Sequence, residues 1–217
     1  MTPVPVAVLV SGGGTNLQAL LDALRDSAVA RVVRVVGSGA GTGALERARR
    51  AGVPTIALKD PADPAEIVTA VGDARLVVLA GYVKHIPPAA VARLRWRAIN
   101  IHPALLPAFG GSGMYGRRVH QAVLASGVAL TGATVHYVDE EYDRGPIIAQ
   151  WPVPVDPDDT PETLAARVLA VEHRLLPQVV MELARLGVPE RPVRLSASGS
   201  AFVAADQPSV RVGEGRG

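Results

Sequence analysis

The sequence predicts an α/β protein: a mostly parallel, twisted sheet with helices on both faces and an antiparallel C-terminal portion. Three observations carry that expectation. Apolar runs rich in β-branched residues, at 6–10 and 76–80, show no polar alternation, as strands buried on both faces require. They alternate with segments of helical periodicity at short intervals, the pattern of βαβ units. Beyond residue 130 the pattern changes to two strands joined by a single acidic turn, which suits an antiparallel pair.

The bulk numbers agree with one ordinary domain. With 217 residues, 48% of them apolar, the chain is long enough to bury a substantial core. The absence of cysteine excludes disulfides, thiolate metal sites and cysteine nucleophiles, and fits a reducing, cytoplasmic setting. The net charge is only +2, and the basic residues, nearly all arginine, form only short clusters such as Arg47, Arg49, Arg50 and Arg117, Arg118, so no nucleic-acid partner is expected. The N-terminal apolar run ends at Ser11, too short for a membrane span and without the basic start of a signal peptide.

In chain order, strand 6–10 ends abruptly at Ser11-Gly12-Gly13-Gly14-Thr15-Asn16, after which Leu17, Leu20, Leu21 and Leu24 fall at helical spacing. Such a glycine-rich turn at a helix start presents backbone N–H groups suited to a phosphate, though a tight βα turn alone has the same form. It lacks the lysine of a nucleotide P-loop and does not fit G-x-G-x-x-G. A second strand is expected at 31–36, a helix at 42–50, a short strand at 53–58, a helix at 65–71 and a strand at 76–80. Val83, Lys84, His85 and Ile86 then lie just past that strand, before a helix opening at Pro87-Pro88.

The next strand, from Ile99, carries Asn100 and His102 on one side, by the period of two, before Pro103 ends ladder pairing. A glycine-rich loop at 110–116 and a helix at 118–126 follow. Residues 131–138 alternate, which predicts a strand with one half-exposed face. The turn after it holds Asp139, Glu140, Glu141, Tyr142 and Asp143; by itself this is a solvated acidic face, and its spacing makes no metal-ligand set. After strand 147–153, Thr160-Pro161-Glu162 is a strong helix start, with a helix expected to about 186 and Glu172 and His173 interrupting it at mid-length. Residues from 195 read as a short strand or hairpin and a loose tail.

Four segments in this order and spacing, SGGGTNLQALL, INIHPALLPAFGG, GATVHYVDEEYDRGPIIAQ and AVEHRLLP, resemble the folate-dependent glycinamide ribonucleotide formyltransferases of purine synthesis. The similarity implies a Rossmann-like sheet in a single domain over 1–194. Residues 1–95 would hold the nucleotide phosphate, and 96–194 the catalytic and folate-binding elements. It also implies formyl transfer from 10-formyltetrahydrofolate, as co-substrate and without a metal, to the amine of glycinamide ribonucleotide. Asn100, His102 and Asp143 would be catalytic. Gly14, Thr15, Asn16 and Glu172 would bind the ribonucleotide. Val83, Lys84, His85 and Ile86, with Asp139 to Asp143, would surround the folate. Three features depart from the pattern: the loop 59–64 lacks the family's usual arginine, Leu169 stands where a glutamine is common, and the glycine-rich segment 110–116 is a longer variant of the loop seen in some members.

Other readings remain at this level. A methionyl-tRNA formyltransferase would be expected to carry a further C-terminal domain, and a formyl-folate hydrolase an N-terminal regulatory one. A non-catalytic phosphate-ligand protein would need the glycine loop but not Asn100, His102 and Asp143 together. The expected partners are small molecules, with no nucleic acid or membrane, and the chain itself is expected as a monomer or homodimer.

Overall fold

The structure is a computed structural model and describes residues 2–198 and 201–204. A seven-stranded sheet forms its centre, in the order β3-β2-β1-β4-β5-β6-β7. The strands are β1 (Val4–Val10), β2 (Ala30–Gly37), β3 (Thr55–Ala57), β4 (Leu76–Leu79), β5 (Ala98–His102), β6 (Leu130–Tyr137) and β7 (Ile147–Pro154). The first five pair parallel to one another, and β6 and β7 join antiparallel. The expected mixed α/β architecture is therefore present.

Strand periodicity explains why both faces need cover. Val4, Val6, Val8 and Val10 of β1 enter one core with α1 (Thr15–Leu24), α2 (Gly43–Arg50), α5 (Arg117–Ser126) and α6 (Pro161–Arg185). Ala7 and Leu9 enter the other, closed by α3 (Pro64–Val71) and α4 (Pro88–Arg93). The strand order reverses direction between β1 and β4, the switch point at which an open α/β sheet binds ligands beyond its carboxyl ends. There Ser11 ties the two loops together, its N–H donating to the Gly81 carbonyl at 3.1 Å and its Oγ accepting from Val83 N–H at 3.2 Å.

Two expectations need correction. β6 has no half-exposed face, because every residue from Thr131 to Tyr137 is buried. The pattern of small and polar residues at Gly132, Thr134 and His136 reflects close packing and internal hydrogen bonds: Gly132 lies against the Trp151 carbonyl and Leu105, and the Thr134 hydroxyl donates to the Ala104 carbonyl at 2.6 Å. Nor do Glu172 and His173 interrupt α6, which runs unbroken for 25 residues. Its start is a reciprocal cap, with Thr160 and Thr163 each accepting the other's backbone N–H, and even the buried Pro177 is carried within it. The packing of its apolar face outweighs one lost backbone hydrogen bond.

β8 (Leu195–Ser198) and β9 (Ala201–Ala204) pair antiparallel as a separate hairpin. The tail expected beyond it lies outside the described residues.

Candidate active site

A cleft of about 470 Å³ opens along the carboxyl ends of β4 and β5. Its walls are the loop after β4, the end of β5, the loop before α5, the β6–β7 turn and the first half of α6. Asn100 and His102 both face it, while Ile99 and Ile101, which alternate with them along the strand, belong to the hydrophobic core.

A chain of hydrogen bonds fixes the chemistry of this centre. His136 stands directly across from Asn100 in the β5–β6 register. Its Nδ1 is 2.8 Å from the Tyr137 carbonyl, which can only accept, so Nδ1 carries the proton. Nε2, the free edge of the ring, lies 3.1 Å from Nδ2 of Asn100 and accepts one of its amide hydrogens when it carries no proton itself. The Asn100 amide is thereby oriented, with one N–H committed and its other amide hydrogen and carbonyl oxygen available to the cleft.

His102 is held from both sides. Its Nε2 is 2.9 Å from the Phe109 carbonyl and must donate to it, leaving Nδ1 to face the Asp143 carboxylate at 3.5 Å. Burial pulls the imidazole below its ordinary pKa; the Asp143 charge and the Phe109 carbonyl pull the other way, and His136 lowers it further. The net direction is down, so a neutral ring with an open lone pair at Nδ1 is the form favoured at neutral pH.

Asp143 adopts a left-handed backbone, φ 58°, which is uncommon for a residue with a side chain. Its Oδ2 accepts the Gly111 N–H at 2.9 Å and its Oδ1 lies 3.6 Å from His136 Nε2. Burial alone would raise its pKa, but His136, His102 and the Gly111 N–H outweigh it and hold the carboxyl below its usual value. The glycine-rich loop has a role here. A Cβ on Gly110 would come within 2.5 Å of Leu106 Cδ2 and 3.0 Å of Asp143 Cβ, and Gly111 takes φ 105° to present its N–H to the carboxylate.

At the other end of the cleft, Asn16 Nδ2 donates to Glu172 Oε2 at 2.7 Å. Burial pushes Glu172 up to about 7 against the opposing effect of that hydrogen bond, and Asn16 Oδ1 is buried without a hydrogen-bond partner among the described residues. Gly14 and Thr15 sit beside this pair at the start of α1, but outside the cleft lining. Gly14 has a packing reason to be glycine: a Cβ there would lie 2.5 Å from Ala44 Cβ. Above Gly12 and Gly13 a Cβ would meet nothing within 4 Å, so the backbone there is open to a ligand.

Val83, Lys84, His85 and Ile86 line the cleft opposite Asp139, Glu141, Tyr142 and Asp143. Glu140 is not in the lining but joins the two loops through its carbonyl, 3.2 Å from His85 Nε2, and the His85 and Tyr142 rings meet at 4.9 Å. Leu169 also lines the cleft, one helical turn before Glu172. Sequence reasoning had not singled out His136, the Phe109 carbonyl or the Gly111 N–H. Of these only His136 carried a signal, as the residue that alternation places with Thr134 on the polar side of β6.

Over residues 4–180 the sequence matches the formyl transferase family. The chain belongs to that family. Among its relatives, the phosphoribosylglycinamide formyltransferase of Mycobacterium tuberculosis is 42% identical over 194 residues, covering 86% of this chain and 87% of that protein. The chloroplastic phosphoribosylglycinamide formyltransferase of Arabidopsis thaliana is 46% identical over 185 residues, covering 81% of this chain and 63% of that protein. The chain thus spans less than two thirds of that relative's length, and likewise 60% of the cowpea (Vigna unguiculata) protein of the same name. Among solved structures, the phosphoribosylglycinamide formyltransferase of Anaplasma phagocytophilum superposes with a TM-score of 0.80 at 34% identity, covering 95% of each chain.

Among the described residues, no three His, Cys, Asp or Glu side chains are grouped to hold a metal ion, and no helix is long and apolar enough to cross a membrane.

Proposed function

We propose that this chain transfers the formyl group of 10-formyltetrahydrofolate to the amine of 5′-phosphoribosylglycinamide, a step of purine biosynthesis, with Asn100, His102 and Asp143 as its catalytic residues. The observation that carries the reading is the joining of these three side chains, through His136, in one cleft at the sheet's switch point. Formyl-transferase relatives of similar length support it.

The chemistry follows from the available groups. The amine attacks the formyl carbon, a C–N bond forms, and the formyl oxygen becomes an oxyanion. The uncommitted amide N–H of Asn100 is the group to stabilise that charge. The nitrogen that attacked must lose a proton, and N10 of the folate must gain one as its bond to the formyl carbon breaks. His102 has one open lone pair, at Nδ1, and a proton taken there is held by the Asp143 carboxylate 3.5 Å away. The same proton is then available to the departing N10, so the protons balance. The products are formylglycinamide ribonucleotide and tetrahydrofolate.

Substrate binding divides between the ends of the cleft. Asn16 and Glu172 would hold the sugar, with Gly14 and Thr15 and the open backbone of Gly12 and Gly13 at the phosphate. Val83 to Ile86 and Asp139 to Asp143 would enclose the folate's ring system. We place the protein in the cytoplasm, as a monomer or homodimer acting on small molecules, although the Arabidopsis relative is chloroplastic. Release of tetrahydrofolate by the purified protein, dependent on glycinamide ribonucleotide, tests the assignment.

A further inference from the structure

His120, on the first turn of α5, has no part in the chemistry above. It is 4% exposed and lines the cleft, and neither ring nitrogen has a hydrogen-bond partner among the described residues; Nδ1 is wholly buried. Buried polar groups are nearly always paired, because leaving one unsatisfied is costly. Burial, and the nearby His102, both disfavour a charge on this ring, so ionisation does not relieve that cost. Nδ1 is closed off from the cleft, so Nε2 is the nitrogen that a bound partner can reach; a phenylalanine would fill this space without the penalty, and an acceptor on a ligand at Nε2 would relieve part of it.

The position of His120 narrows what that partner is. α5 packs against α6, whose cleft face carries Leu169 and Glu172. On the proposed reading, the sugar lies at Glu172 and the amine at His102. The part of the ribonucleotide between them is the glycinamide carbonyl. Leu169, on the same wall, has no polar atom to offer it.

We infer that His120 is a substrate-binding residue whose imidazole N–H donates to the glycinamide carbonyl of the ribonucleotide, and so selects for that amide. This deepens the reading of the same site and rests on it. The contact distinguishes glycinamide ribonucleotide from sugar phosphates that lack the amide.

Calorimetric titration of wild type and His120→Phe with glycinamide ribonucleotide and, separately, with ribose 5-phosphate tests this. The substitution is expected to weaken the amide-bearing ligand roughly tenfold or more, the scale of a buried hydrogen bond, and to leave ribose 5-phosphate unchanged. His120→Asn, which keeps one N–H, recovers part of the loss. The thermal midpoint of the unliganded His120→Phe protein is expected to equal or exceed that of wild type, because an unsatisfied polar group has been removed. Unchanged affinity for glycinamide ribonucleotide, equal weakening of both ligands, or a lowered midpoint would each overturn the inference. Wild-type protein that binds the ribonucleotide with this selectivity but transfers no formyl group would remove the activity and leave the contact standing.

Discussion

Nδ1 of His102 stands 3.5 Å from the Asp143 carboxylate, while its Nε2 is committed to the Phe109 carbonyl at 2.9 Å. One edge of the ring is thus spent on structure and the other is open to a proton. Which edge does which follows from a carbonyl that can only accept.

His102→Ala and Asp143→Asn are each expected to lower kcat by at least about a hundredfold, the usual scale for acid–base and charge-stabilising groups. Steady-state rates with both substrates saturating measure it, and near wild-type rates in either variant would remove the role assigned.

His136→Phe keeps an aromatic ring in β6 but takes away the acceptor that orients the Asn100 amide. kcat should fall about tenfold or more while the KM for the ribonucleotide stays near its wild-type value, since a misaimed donor is felt in the transition state. A change confined to KM would mean that Asn100 is held by something else.

Gly110→Ala drives a methyl to within 2.5 Å of Leu106 and 3.0 Å of Asp143 Cβ. The loop must retreat, and the Gly111 N–H goes with it. Loss of that hydrogen bond should raise the Asp143 pKa toward its ordinary value and shift the acid limb of the rate profile to higher pH. Gly113→Ala, whose Cβ would meet only the far end of Arg118, is the comparison: an effect equal to that of Gly110→Ala would point to loop strain alone.

The fold was largely legible because buried strands and amphipathic helices leave strong periodic signals. The two departures, at β6 and α6, have one cause: a polar or small residue within an element has the same signature in sequence whether it faces water, breaks the element or is buried against a partner. His136 and Glu172 are each buried against a partner far away in sequence, Asn100 and Asn16, and such pairing leaves no periodic trace. Asn100 and His102 stand together through strand alternation before Pro103, whereas Asp143 is marked only by the family resemblance of the segment that carries it. The backbone groups that orient them, at Phe109 and Gly111, were invisible because every residue carries the same N–H and C=O.

Glu172 gives a stability test with a definite sign. Its pKa is about 7 in the folded chain against an ordinary value of 4.5 for a solvated glutamate, so the folded state holds the extra proton between those values. Its contribution is most favourable below about pH 4.5 and is lost as pH rises through 7, by about 3 kcal/mol. Glu172→Gln removes the titration, so in urea unfolding its stability relative to wild type should rise from pH 5 to pH 8. A difference that stays flat across this range would show that Glu172 is ionised throughout.

The most direct measurement is tetrahydrofolate release from 10-formyltetrahydrofolate by the purified protein, with and without glycinamide ribonucleotide. Release only when both are present, with formylglycinamide ribonucleotide formed in equal amount, is the predicted result. No release with both present, or the same release when the ribonucleotide is left out, would contradict it.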